Sequence, residues 1–277
     1  MNRLLFLRYL SLEVVFNALS VGVFVLVWLD VVMPFSWWVL LVLSVWAVYT
    51  TDHLLDACSG SGIPVIARHR FHQEHKVIIG IALVAVCLVN IFLLWRFPDL
   101  HLIAGGALLL LLAVLYFAAL RFSPRLRNLL PKEMIIAGIF LSGISFAPLL
   151  EKQDYLKHTD FVMMFVFFLL AFAETAMVSW FEQDQDRADG HPSFALKLGK
   201  QKSRKIMLIV LYISVLLSLT LLFISENHIQ KYGAIILMIM GILLIQILLF
   251  PEFFVLKNYY RLAGDAIFML PAILVLF

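Results

Sequence analysis

The sequence predicts an all-α, polytopic integral membrane protein, a bundle of nine transmembrane helices around a central cavity. Three observations lead there. Of 277 residues, 63% are hydrophobic and only 14% are Asp, Glu, Lys or Arg, where a soluble domain has about 45–50% apolar and about 25% charged residues. Such a chain has too little polar surface to cover itself in water. The apolar residues also fall into nine runs near the length a bilayer asks of a helix, about 20 residues. Finally, when the runs are alternated across a membrane, all of the 21 lysines and arginines except Arg96, Lys152, Lys157 and Lys231 fall on one side, as the positive-inside rule requires.

In chain order, the first run, 10–31, follows Arg3 and Arg8 as a secretory leader would. Glu13 and Asn17 interrupt its apolar core and no small-residue cleavage site follows, so it reads as a retained span. The second, 35–56, ends in Asp52-His53-Leu54-Leu55-Asp56 and leads into a basic loop with Arg68, Arg70 and Lys76. The third is 77–95. The fourth, 100–120, precedes Arg121, Arg125, Arg127 and Lys132; the fifth is 132–150. The sixth, 161–182, ends in Glu182-Gln183-Asp184-Gln185-Asp186, before a second basic loop over 187–205. The seventh and eighth are 206–225 and 231–249. The ninth, 259–277, is interrupted by Asp265 and Pro271, and 251–258 reads alternatively as an interfacial segment.

This alternation places the N-terminus inside and the C-terminus outside, as in a multi-pass protein of a bacterial inner (cytoplasmic) membrane. With no linker or soluble insert, residues 1–277 read as one domain. Cys58 and Cys87 are too few for a disulfide framework and lack metal-ligand spacing; they read as small packing residues. No basic stripe interleaved with aromatics points to nucleic acid. The histidines 53, 69, 72 and 75 do not read as a zinc site, because the i, i+3, i+6 spacing of the last three does not hold one helical face.

The two acidic stretches need a reason in a chain that otherwise avoids charge. On a helix, residues i and i+4 share a face, with Cβ atoms about 5–6 Å apart. Asp52 with Asp56, and Glu182 with Asp186, are each expected to form a two-carboxylate edge at the cytoplasmic end of a span. Hard oxygen donors so spaced suit Mg²⁺, which is commonly held by one or two carboxylates and by substrate phosphates. The catalytic and metal-binding candidates are therefore Asp52, Asp56, Glu182 and Asp186. Arg68, Arg70, Lys197 and Lys200, in the two basic loops, are candidates for charge-assisted bonds to a diphosphate. Glu13, Glu174 and Asp265 lie deeper, where ionisable groups usually face a cavity or a partner. Glu174 stands eight residues before Glu182, on roughly the same face, and is a candidate for the acceptor side.

At these residues the chain resembles the UbiA family of intramembrane prenyltransferases. That family carries Asn-x-x-x-Asp-x-x-x-Asp after its second span and Asp-x-x-x-Asp after its sixth. Here the first reads Val48-Tyr-Thr-Thr-Asp52-His-Leu-Leu-Asp56; the second reads Glu182-Gln-Asp-Gln-Asp186, with Gly190, Ser193 and Gly199 in the tail that follows. Arg68-His-Arg70 falls where the family has an arginine-rich stretch. Tyr116 with Arg121 resembles the tyrosine and basic pair that close its fourth span, which implies that both bind the diphosphate, with Tyr49 a candidate beside Glu174 on the acceptor side. Val48 and Glu182 depart from the pattern: glutamate keeps an oxygen ligand of longer reach, whereas valine has none. The resemblance implies Mg²⁺-dependent transfer of a prenyl group from an isoprenyl diphosphate to a lipophilic acceptor, with Tyr49 and Tyr116 as aromatic walls for an allylic cation.

Two other readings compete. Asp186-Arg-Ala-Asp189-Gly190 matches a fragment of the CDP-alcohol phosphotransferase motif, but the remaining acidic motif lies upstream rather than downstream. A non-catalytic polytopic carrier or scaffold would account for the buried acids, yet the pair of interrupted spans that marks many carriers is not evident.

Overall fold

The computed structural model describes residues 9–58, 66–96, 100–122, 131–152, 155–189 and 193–277. Among them every regular element is helical and there is no strand. In hydrocarbon this is the expected outcome, because a helix satisfies its backbone N–H and C=O groups within its own segment.

In chain order the helices are α1 (Leu12–Leu29), α2 (Phe35–Ala57), α3 (Ala67–Glu74), α4 (Lys76–Trp95), α5 (Leu100–Phe122), α6 (Lys132–Glu151), α7 (His158–Phe181), α8 (Gln183–Asp189), α9 (Phe194–Leu198), α10 (Lys200–Ile224) and α11 (His228–Leu249). A composite last stretch follows: α12 (Pro251–Val255), a 3₁₀ turn (Leu256–Asn258), α13 (Tyr259–Met269) and a closing 3₁₀ segment (Leu270–Leu276). Eight stretches of the described residues are long and apolar enough to cross a membrane: α1, α2, α4, α6, α7, α10, α11 and the composite Pro251–Leu276. The run expected at 100–120 forms α5, whose apolar stretch within the described residues, His101–Tyr116, is shorter than those eight. The last apolar stretch begins at Pro251 rather than 259, with a break at Lys257 and Asn258, both at positive φ.

The chain divides into two compact units that alternate along the sequence: unit 1 is Met1–Leu19, Met33–Leu129 and Asp184–His191, and unit 2 is Ser20–Val32, Leu130–Gln183 and Pro192–Phe277.

In unit 1, α2 packs against α3 and α4. Trp46 Nε1 donates to the Leu10 carbonyl at 3.0 Å, and the Tyr9 ring stacks on Phe71 with centroids 5.3 Å apart. Helix α4 buries Ile79 and exposes Val77, Ile78, Ile81, Val84, Leu88 and Phe92, an all-round apolar surface of the kind lipid covers. Cys87 lies on this helix and Cys58 at the end of α2; both are exposed, which corrects the reading of them as packing residues.

In unit 2, α7 is the hub: α6, α9, α10, α11 and α13 all pack against it. Phe24, Phe167, Leu170, Met207, Leu211, Leu237, Met240 and Leu244 are fully buried here. Two glycines of α11 permit the tight approach. A Cβ on Gly233 would stand 2.8 Å from Trp28 Cε3, and one on Gly241 would stand 2.8 Å from Val215 Cγ2. The shift to 3₁₀ geometry at Leu270, just before Pro271, frees backbone groups inside the last span. Ser20 satisfies two of them, donating Oγ–H to the Met269 carbonyl and accepting from the Ala272 N–H, both at 2.9 Å. Hydroxyl rescue of this kind is what makes proline tolerable in a span.

Candidate functional site

Asp52 and Asp56 lie in the last two turns of α2, one turn apart and half-buried. This is an electrostatically poor place for them. A helix C-terminus carries the negative end of the macrodipole, and like charges at i and i+4 repel by a few tenths of a kcal/mol. Helix stability does not explain the pair.

The second stretch is built differently from the expectation. Helix α7 stops at Phe181 and α8 starts at Gln183; Glu182 between them caps α7 with φ −97° and ψ 11°. The i, i+4 spacing of Glu182 and Asp186 is therefore not carried by one uninterrupted helix. The unit boundary also falls here: Asp184–His191 belongs with α2 and its basic loop in unit 1, and Glu182 belongs to unit 2. Within unit 1, Asp189 Oδ2 accepts the backbone N–H of Ile66 at 3.3 Å. That bond ties the end of α8 to the residue that precedes α3, across 123 residues of sequence.

Glu182 is enclosed by the last span. Its Oε1 accepts from Tyr260 Oη at 2.8 Å and from Arg261 Nε, and its Oε2 accepts from Arg261 Nη2, a two-pronged ion pair with side chains 8% and 21% exposed. Just upstream in space, Glu133 at the start of α6 is 3% exposed and accepts at Oε1 from Ser179 Oγ and from the Phe194 N–H, each at 2.7 Å. It fixes α9, the start of the motif's tail, to α7, and Gln183 Nε2 adds a bond to the Ala195 carbonyl at 2.8 Å. Gly199, at φ +79°, then turns the chain from α9 into α10; a residue with a Cβ is disfavoured in that conformation.

The other expected residues are distributed over both units. Unit 1 holds Arg68 (half-buried) and Arg70 (exposed) on α3, with Tyr49 on α2 and Tyr116 (8% exposed) on α5. Unit 2 holds Lys197 and Lys200, both exposed, and Glu174 on α7. Lys200 Nζ lies 5.2 Å from the centroid of the Trp180 ring, a cation–π contact. Glu174 lies against α13, where a Cβ on Gly264 would be 2.9 Å from its Oε1, and its charged neighbours are Asp265 and Arg261. The side chain of Arg121 and residues Arg3, Arg8, Arg125, Arg127 and Gly190 lie outside the described residues.

Three of the four histidines grouped in the sequence, although not on one helical face with His75, do meet in the structure. His53 of α2 meets His69 and His72 of α3, with ring centroids 6.0 and 5.5 Å away, and all three are buried. His75 is exposed at the end of α3. Burial holds the His72 imidazole below its ordinary value of 6.5, against a raising contribution from the bond between Nδ1 and the Arg68 carbonyl. The i, i+3 spacing of His69 and His72 could have signalled a shared face; the partner on α2 could not be read without the turn between the helices.

Whether these residues suit Mg²⁺ can be judged from the donors. Asp52 and Asp56 are hard oxygen donors one turn apart at a helix end, and one or two carboxylates completed by phosphate oxygens and water is the usual protein share of a Mg²⁺ site. Among the described residues no group of three or more His, Cys, Asp or Glu side chains stands ready to hold a metal by itself. Asp52 and Asp56 are donors of the type that a substrate-completed magnesium site would use.

Comparison of the chain with protein-family models, with curated proteins and with solved structures returns no match.

Proposed function

We propose that the protein is an intramembrane prenyltransferase of the UbiA type, with nine spans, an inside N-terminus and a site at the inner rim of the membrane. Its substrates are an isoprenyl diphosphate and a lipophilic acceptor, which an aromatic or quinone-precursor ring would suit. One observation carries the reading. The Asp52/Asp56 edge and Asp186 belong to one compact unit, and the Asp189–Ile66 bond fastens the end of α8 to the residue that precedes α3, the helix of Arg68 and Arg70. Acids from two remote stretches and a basic helix in one unit are the groups that a magnesium diphosphate would call on.

In this reading Asp52, Asp56 and Asp186 would hold the metal, which would supply Lewis-acid stabilisation of the leaving diphosphate. Arg68 and Arg70 bind the phosphate oxygens, for which guanidinium geometry is suited. The bond between the allylic carbon and the diphosphate oxygen breaks, the electron pair leaves with the diphosphate, and the allylic cation forms beside the Tyr49 and Tyr116 rings. The acceptor then bonds to that carbon and gives up a proton. A membrane-embedded site keeps water from the cation. The expected roles of Lys197 and Lys200 toward phosphate, and of Glu174 toward the acceptor proton, belong to the same proposal.

The test uses purified protein in detergent with geranyl diphosphate and a panel of hydroxylated aromatic acceptors. Magnesium-dependent, acceptor-dependent diphosphate release, lost in Asp52→Ala and Asp186→Ala, is the expected result. Release that is equal in those variants removes the site assignment, and turnover of a CDP-alcohol instead moves the protein to the phosphotransferase reading.

A further inference from the structure

Glu182 occupies the first position of the second acidic motif, which the resemblance gives to a metal ligand, yet its surroundings are those of a carboxylate already in use. Both of its oxygens face Arg261, through Nε and Nη2, and Oε1 also accepts from the Tyr260 hydroxyl. The residue before it takes part too: the Phe181 ring stacks on Tyr260 with centroids 4.3 Å apart and planes at 10°. Two consecutive residues at the end of α7 thus clasp two consecutive residues at the start of α13. The chain reaches that position through consecutive left-handed residues, Lys257 at φ 52° and Asn258 at φ 59°. Left-handed backbone is uncommon outside glycine, and two in succession persist where surrounding contacts fix them; the clasp is the contact that immediately follows. Tyr260 is 3% exposed, so the pair sits where water offers little compensation for a lost partner.

We infer that Glu182 is a positioning residue, the counter-ion that locks Arg261 and Tyr260 of the last span to the end of α7, and that it is not a metal ligand. A bidentate guanidinium neutralises the carboxylate and fills the lone-pair directions that a cation would take. Magnesium would have to displace Arg261, leaving that guanidinium in a partly buried place without its charge partner. The functional half of this inference rests on the prenyl-transfer reading; the clasp itself does not.

Two measurements separate those halves. The first is a thermal-stability cycle in detergent with Glu182→Gln, Arg261→Gln and the double variant, and with Tyr260→Phe alongside. Each charge removal should lower the melting temperature by several degrees. The double variant should melt higher than Arg261→Gln alone, because it leaves no uncompensated charge. Additive losses overturn the clasp. The second is binding of Mn²⁺ with inorganic diphosphate, followed by electron paramagnetic resonance. Glu182→Gln should keep Mn²⁺ affinity within about twofold, whereas Asp52→Asn should lose tenfold or more. A tenfold loss in Glu182→Gln would make Glu182 a ligand and overturn the inference. If the unaltered protein binds no Mn²⁺ with diphosphate, the prenyl-transfer reading fails and the stability cycle alone decides the role of Glu182.

Discussion

The two units differ in what they bury. Among the described residues, every one of the largest fully buried side chains, from Phe24 to Leu244, belongs to unit 2, where two buried acids are closed into ion pairs, Asp160 with Lys152 and Glu182 with Arg261. Its hub helix α7 is held by a buried acid at each end. Asp160, 1% exposed, takes Trp28 Nε1 at 2.9 Å, Lys152 Nζ at 2.6 Å and the Lys157 N–H at 2.9 Å; Glu182 takes Arg261 and Tyr260. Unit 1 turns apolar residues outward along α4 and α5, and beside apolar residues such as Trp37, Leu41 and Val45 it buries three histidines that meet one another, His53, His69 and His72. Its aspartates stand at a helix end where neither the macrodipole nor their mutual charge favours them. The contrast teaches where the proposed reading can be tested: the densest apolar packing lies in unit 2, and the proposed metal-binding aspartates lie in unit 1.

Substitutions can break or sharpen that contrast. The largest stability loss is expected in unit 2 from Asp160→Ala, which leaves Lys152 buried without its partner. Breaking such a pair costs about 3–5 kcal/mol, visible as a lowered melting temperature in detergent. Gly233→Ala comes next. Its new Cβ would lie 2.8–3.0 Å from the packed Trp28 and Phe24 rings, and overpacking of this kind costs about 1–3 kcal/mol.

Acid should act on unit 1. His72 is held below 6.5 by burial, so between that lowered value and 6.5 the unfolded chain binds more protons than the folded one. The stabilisation is complete above 6.5 and is lost as pH falls toward the lowered value. Protection of the α3 amides, with rates corrected for the pH dependence of intrinsic exchange, should accordingly fall on going from pH 7.5 to 5.5, and His72→Phe should flatten that response. The smallest effect belongs to Leu88→Ala on the outward face of α4, where Leu88 is 62% exposed. Its packing within the chain changes so little that stability should move by no more than about 0.5 kcal/mol.

The helices and their order were legible because apolar run length is a direct physical requirement of the bilayer. Eight of the nine runs correspond to stretches long and apolar enough to span among the described residues, the last of them starting at Pro251 rather than 259, and the run at 100–120 does not reach that length there. The pairing of Asp52 with Asp56 followed from helical spacing alone. Glu182 was not legible in the same way, because nothing in Glu182-Gln183-Asp184 marks the helix break that separates it from Asp186. Arg261 counted only toward membrane orientation, since its partner is 79 residues away. Glu133 was hidden for a similar reason. Its partners, Ser179 and the Phe194 amide, are brought to it by packing, and no local spacing encodes that meeting.

The central claim is that unit 1 presents its aspartates to a divalent ion together with a diphosphate. Mn²⁺ binding in the presence of inorganic diphosphate, compared among the unaltered protein, Asp52→Ala and Asp186→Ala, tests it most directly. Saturable binding that is lost in both variants, with melting temperatures unchanged, is the predicted result. Binding that survives both substitutions would contradict it.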